Sequence, residues 1–520
     1  MPSCALVLSW LFALCSLAEG AALLPGPIDP HDPPEGRFAD EWSEIYMGDS
    51  KVGYAHTAMS RADDRIETRT YMKMNLGRAG EPVSISLEQA ATETLSGGPL
   101  QFSTTTKMAA MDLSTRGTVQ NGKVTIVTSQ LGMEQTQTFD FPSGAVLTTW
   151  GAYREGLLRG FKPGTAYTLL VYAPELRLDD AVQAVTTIGD WEQVEHFDRK
   201  RRGQRVSMEL NSPLATLKMV SWVDEQGRPL VARIPAPGMG DMTVVAVDQQ
   251  TALTDFVPPE MFSTSVIRIS RSLNPSHARR IVYRLTASSD EAELATLPST
   301  DSQRVTVHDE RSATVVVERQ LHRPPDVATG QATGRSAGVV DARPYLDGNL
   351  MINTRDEALI ALAARAAAGE TKRYALADRL RRFVSDYVRT KSLSIGFATA
   401  SEVCRTREGD CSEHAVLLAA LGRLNRLPSR VVVGLVYVPV LSGERDVFGY
   451  HMWTQFLIDG RWLDVDAALG ETECSPARIA FVTSSLKDSG LADLSLPLLN
   501  KIGVLAIEVL EVTEADAVRP

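Results

Sequence analysis

The residues best equipped for chemistry lie in GDCSEHAVLLAAL, Gly409 to Leu421. Asp410 is a good N-cap, which places Cys411 in the first turn of a helix and Glu413 at its third position, where a carboxylate completes a capping box. A thiol there meets the free N–H groups and the positive end of the helix dipole, an environment that favours an anion. A nucleophilic thiol needs a base, and the base needs an orienting partner. YHMWTQFLI (Tyr450 to Ile458) and RWLDVD (Arg461 to Asp466) flank Asp459 and Gly460, a two-residue hairpin turn. That turn sets Ile458 opposite Arg461, Trp453 opposite Asp466 and His451 opposite Ala468. Asp466 is then a diagonal neighbour of His451 on the same face, about 7 to 8 Å away at the backbone and closer at the side chains. Asp464 shares the face but lies two residues further along, which makes it the poorer partner. The alternative is a buried structural cysteine with a polar collar. His414, one turn after Cys411, is a rival base or, with Cys411, half of a metal pair. No further ligands stand at zinc spacing, so neither metal nor cofactor is expected, and His414 with Glu413 should brace the helix start.

These side chains need rigid carriers. From Ala415 to Leu424 the helix is apolar nearly all round, so it should run through a core, and RVVVGLVYV (Arg430 to Val438) reads as a fully buried strand. Upstream, Thr354 with Glu357 resembles a capping-box start for EALIALAARAAAG, and Leu376, Leu380, Phe383, Val384, Tyr387 and Val388 give one apolar helical face. From Trp42 to about Leu253 the pattern is almost all strand, with Asn121-Gly122 as a strong hairpin signal and one helix at roughly 147–158. This predicts a large antiparallel sheet, curved or half-closed, with a helix on its concave side. After Val257-Pro258-Pro259 a second strand set follows, forming either a small module or an extension of the first sheet. His56 reads as an ordinary strand residue, and Arg199 to Arg205 as a solvated basic loop.

The totals set the frame. A chain of 520 residues predicts several domains, and 44% hydrophobic with 22% charged residues is globular composition. A net charge of −11 gives no basic footprint for nucleic acid. Residues 1–24 have the apolar run and small-residue cleavage zone of a signal peptide, although no Lys or Arg precedes the run. Export, periplasmic or secreted, is therefore expected, with no stable membrane insertion once the signal is removed. Cleavage leaves Cys404, Cys411 and Cys474, an odd number, with a Cys404–Cys474 bridge as one possible pairing.

GDCSEHA, LPSRVVVGLVYV and YHMWTQFLIDGRWLDVDAA, in that order and spacing, resemble the core of the transglutaminase-like superfamily, over roughly Arg355 to Thr483. The resemblance implies a papain-like fold with Cys411 as nucleophile, His451 as base and Asp466 as acid. Gln455 stands where many relatives carry Glu, Ala467 where Pro is common and Leu427 where Ile is frequent; none of these removes a triad member. The opening WSEIYMGDSKVGYAH is similar in pattern to β-rich regions of exported lipoprotein-carrier-like proteins. The expected fold is therefore α+β and multidomain: a linker at 25–36, a β-rich N-terminal domain at 37–255, a small β module at 260–325, a transglutaminase-like domain at 350–490, and a strand or tail at 491–520. The implied function is acyl chemistry on protein or peptide amides through a thioester, with hydrolysis preferred. Protein-glutamine transamidation and a catalytically silent envelope-binding or assembly module are the alternatives.

Overall fold

The computed structural model describes residues 28–514 apart from 79–80, 109–110, 131–132, 197–198, 212–215, 236–240, 261–265, 289–291, 293, 322–340, 391–397, 442, 487–493, 495–497, 499–500 and 502, with the exception that side chains at 78, 81–82, 108, 111–112, 130 and 133 are also left aside. The expected signal peptide at 1–24 lies outside the described residues. Two compact units divide the chain, one ending at Met261 and the other running from Phe262 to Pro520.

In the first unit fifteen strands form one sheet. A meander from β1 (Gly36–Met47) to β8 (Met133–Asp140) is joined to a second, β9 (Val146–Leu147) to β15 (Met242–Val247), where β1 pairs antiparallel with β15. Alternation drives much of this fold, as in the strand Val182–His196, whose first half buries every second side chain. The sheet curls: Val124 and Ile126 of the first meander share a core cluster with Leu147 and Tyr172 of the second. The expected helix is present as α1 (Trp150–Arg159), and Trp150 is fully buried edge-on to Phe38. Glu93, itself fully buried, receives the Trp150 and Gly151 N–H groups at 2.9 and 2.8 Å and the Thr149 hydroxyl at 2.5 Å. A carboxylate thus satisfies orphan donors at the helix start, while burial raises its pKa to about 7. One expectation gains a detail and one changes. His56 has an acidic partner, Asp40 Oδ1 at 2.6 Å, supplied by the neighbouring strand and invisible in linear spacing. Residues Arg199 to Arg205 are strand, not loop, because Arg199 to Gln204 pair rung by rung with 191–196 and Arg205 pairs with Trp222.

The second unit holds two sheets. In the core sheet β16 (Ile267–Arg268), β21 (Glu444–Ile458), β20 (Ser429–Leu441) and β23 (Arg478–Ser484) are neighbours in that order, and β22 (Arg461–Val465) also pairs with β21. Helix α5 (Cys411–Leu424) is buried from Ser412 to Arg423 and packs on β21, where the Thr454 hydroxyl donates to Ala415 O at 2.9 Å. Helices α2 (Glu357–Ala367), α3 (Arg373–Tyr387) and α4 (Ala400–Thr406) surround it. The N-cap of α2 is Asp356, not Thr354: its carboxylate accepts from Ala358 and Leu359 N–H and is bridged to Arg405 of α4.

The smaller sheet runs β18 (Gln303–Asp309), β19 (Ser312–Glu318), β17 (Ala278–Ala287), β24 (Leu505–Glu514). The strand expected near the end of the chain therefore completes the middle module instead of standing apart, and the strand expected around Ile267 belongs to the core sheet. Two glutamines bind the sheets together through backbone edges. Gln303 donates to Ala480 O at 2.9 Å and accepts from Ala480 N at 2.8 Å; Gln320 donates to Trp462 O at 2.9 Å and accepts from Asp464 N at 3.1 Å. Each amide thus satisfies two main-chain groups on strands β23 and β22.

Gly434 pairs with His451 in the β20–β21 ladder, and a Cβ there would lie 2.0 Å from Ile479 O on β23. Gly434→Ala should cost about 1–3 kcal/mol through forced strand separation, seen as a lowered urea midpoint at unchanged slope; an unaltered midpoint would show that the sheet can open at no cost.

Candidate active site

The site begins with the capping box at the start of α5. Glu413 folds back so that Asp410 N donates to its Oε2 at 2.8 Å, while Ser412 N donates to Asp410 Oδ1 at 3.0 Å. Gly409, at φ +151, permits this approach, because a Cβ there would sit 2.2 Å from Glu413 Cβ. Glu413 is fully buried and also accepts the Ala398 N–H at 2.9 Å and the Ser412 hydroxyl at 3.0 Å. Burial and the neighbouring Asp410 carboxyl hold its proton affinity well above the usual carboxylate range. His414 donates from Nδ1 to Asp410 O at 2.6 Å, which ties its ring to the helix start. No group of three or more possible metal-ligating side chains occurs among the described residues.

The hairpin register is the one its turn dictates: Ile458 pairs with Arg461 and Thr454 with Val465, so Asp466 follows the last rung of β22. His451 Nε2 lies 2.7 Å from Asp466 Oδ2, with both residues buried. The Cys411 thiol is among the groups that act on this ring, and since Nε2 faces the carboxylate, Nδ1 is the nitrogen open to sulfur. Cys411 is itself half-buried, and so remains reachable. The three residues singled out in the sequence therefore meet: α5 supplies Cys411, β21 supplies His451, and the turn after β22 supplies Asp466.

Burial works against a charged imidazole, yet the Asp466 carboxylate and the bonds to Asp466 and Cys411 raise His451 to about 10. Burial likewise opposes a charged Asp466, but His451 and Arg478 hold its carboxyl well below the usual range. Asp466 is further fixed by the Leu469 N–H at 3.0 Å and by a two-way backbone bridge with Glu471.

Asp464 has a different task. Its carboxylate accepts from Trp453 Nε1 at 2.7 Å, Gln455 Nε2 at 2.8 Å and the Ser302 hydroxyl at 2.5 Å, which joins β21, β22 and the loop before β18. Gln455 accepts from Arg430 Nε at 2.7 Å, so its amide spans a cation and an anion where a carboxylate would face Asp464 with like charge. Trp453 and Trp462 are both buried, as core aromatics should be.

Arg478 escaped the sequence reading. It is buried at the start of β23, donates to Asp466 Oδ2 at 3.3 Å, pairs with Glu471 and lies over the Trp453 ring at 5.1 Å. The available signal was an arginine heading the apolar stretch RIAFV, because a charge in a buried strand demands a partner. Cys404, Cys411 and Cys474 are all free thiols, so the candidate Cys404–Cys474 bridge is not formed. Burial pushes the Cys404 and Cys474 thiols up, leaving both in their neutral form.

Residues 360–467 match the family model described as the transglutaminase-like superfamily, a segment that reaches from α2 to the residue after Asp466. No curated protein matches the chain. Among solved structures, a chain described as a "putative cysteine protease" from Cytophaga hutchinsonii is 14% identical, covering 49% of this chain and 90% of its own, at a TM-score of 0.28. A β-barrel-like protein of a domain of unknown function from Brucella abortus is 12% identical, covering 41% of this chain and 96% of its own, at a TM-score of 0.32. Within residues 360–467, the chain carries a transglutaminase-like core.

Proposed function

We propose that the protein is a cysteine-dependent acyl-transfer enzyme acting on protein or peptide amides, with water as the usual acceptor. The observation that carries this is the assembly of one half-buried thiol with a buried imidazole and carboxylate, His451 Nε2 and Asp466 Oδ2 being 2.7 Å apart. In the proposed reaction His451 takes the Cys411 proton, and sulfur attacks the amide carbonyl. The C–N bond breaks as His451 returns that proton to the leaving amine, leaving a thioester. Water, deprotonated by His451, then attacks the thioester and releases a carboxylic acid and the thiol. Asp466 fixes the imidazole tautomer and steadies its charged form. The Cys411 N–H, at the first turn of α5, supplies one oxyanion donor. A second donor should come from upstream, between about Tyr387 and Thr399, of which 391–397 lie outside the described residues.

Export belongs to the same proposal, on the strength of residues 1–24. No helix among the described residues is long and apolar enough to cross a membrane. The test is a survey of peptides and amines turned over by the wild type and by Cys411→Ala. Expected is cleavage of a set of amides by the wild type alone. Amine incorporation would replace hydrolysis with transamidation, and identical profiles for the two proteins would remove the enzyme reading.

A further inference from the structure

We propose that Arg478 is a positioning residue that limits how tightly Asp466 holds the His451 proton, so that the imidazolium can give it up to the leaving amine. This rests on the catalytic role proposed above and extends it to a residue outside the triad. One carboxylate oxygen serves two cations: Asp466 Oδ2 is 2.7 Å from His451 Nε2 and 3.3 Å from Arg478 Nη1. The guanidinium has no freedom to leave. Its Nε donates to Ser475 O at 3.0 Å, its Nη2 grips Glu471, and its plane lies over Trp453.

The charges around this line are few. His451 faces Cys411 and Asp466. Arg478 faces Asp466 and Glu471, with Cys474 and Asp464 close by and the neutral Tyr283 phenol approaching from β17. Asp466, acting alone in a dry site, would hold the imidazolium with its full charge. A base held that strongly is a poor acid, and the second half of the reaction needs an acid. Arg478 draws part of the carboxylate's field to itself. Glu471 works the other way, because it occupies Arg478 and so returns that field to His451. Glu471 is about a quarter exposed, which makes it the replaceable member of the chain.

Opposite signs therefore separate tuning from packing. The test is a pH titration of the His451 ring by NMR on the full-length protein with isotope-labelled histidine, the signal being assigned by its loss in His451→Gln. Arg478→Met should raise the His451 midpoint by about one pH unit or more, Arg478→Lys should stay near the wild type, and Glu471→Gln should lower the midpoint. An unmoved midpoint in Arg478→Met, or shifts of the same sign in the 478 and 471 variants, overturns the proposal. Should Arg478→Met not fold, Glu471→Gln decides, and no downward shift there overturns it as well. A protein with the expected shifts but no turnover of any amide would sink the catalytic reading and leave the charge line standing; turnover with unmoved midpoints would do the reverse.

Discussion

His451→Ala should lower amide turnover by about 10²–10⁴-fold, the range a positioned general acid–base supplies, and should bring alkylation of Cys411 by iodoacetamide down to the rate of a model thiol. The reason is specific to this site. Cys404 and Cys474 are buried and held neutral, so among the thiols of the described residues the one open to alkylation in the folded, reduced protein is Cys411. His451 is the ring on which that thiol acts, whereas His414 is committed to Asp410 O. Substituting His414 by Gln should therefore leave far more activity than substituting His451. Equal losses at the two positions would mean that the base has been misassigned.

Asp466→Ala should be among the most destabilising single changes in the second unit, by about 3–5 kcal/mol, because it leaves His451 and Arg478 facing each other in a buried site without their shared anion. The milder Asp466→Asn carries a pH signature. His451 is raised from about 6.5 in an unfolded chain to about 10 in the fold. Its contribution to stability is therefore complete below the unfolded value and is lost as pH rises through the folded one. Asp466 is depressed, so its contribution is present above about 3.9 and is lost only as pH falls through its folded value. Wild-type unfolding midpoints should thus decline from about pH 6.5 towards about 10, and in Asp466→Asn that decline should largely vanish at the near-neutral end, before the buried Cys404 and Cys474 thiols add their own alkaline loss. The same alkaline slope in both proteins would show that the pair is not coupled to folding.

Local chemistry made much of the second unit legible. The Asp459-Gly460 turn forced a register, the register put Asp466 diagonal to His451, and the side chains closed the gap to 2.7 Å. The capping box at Asp410 and Glu413 was readable for the same reason: its partners are three residues apart. The long apolar run after it announced a core helix. Partnerships between distant strands were hidden. Nothing in the spacing of Gln303, Gln320 or Ser302 tells that they hold β22 and β23, because those contacts arise only when two sheets face each other. Arg478 was hidden likewise, since its partners sit on a turn and a loop. At Asp356 the shorter reach of an aspartate cap won over the Thr354 signature.

The pairing of β17 with β24 sets a timetable. Arg280 and Glu511, bonded across that ladder at 2.9 Å, are 231 positions apart, and everything that forms the thiol centre is strung between them. Closing so long an interval costs chain entropy before any contact returns it. β17 in turn supports the loop that follows Asp466, through the Tyr283 hydroxyl donating to Pro476 O at 2.9 Å. A nascent chain therefore contains Cys411 before β24, the strand that completes this sheet, has been made. The sheet that braces the thiol-bearing core can therefore close only once the chain has been made as far as residues 505–514.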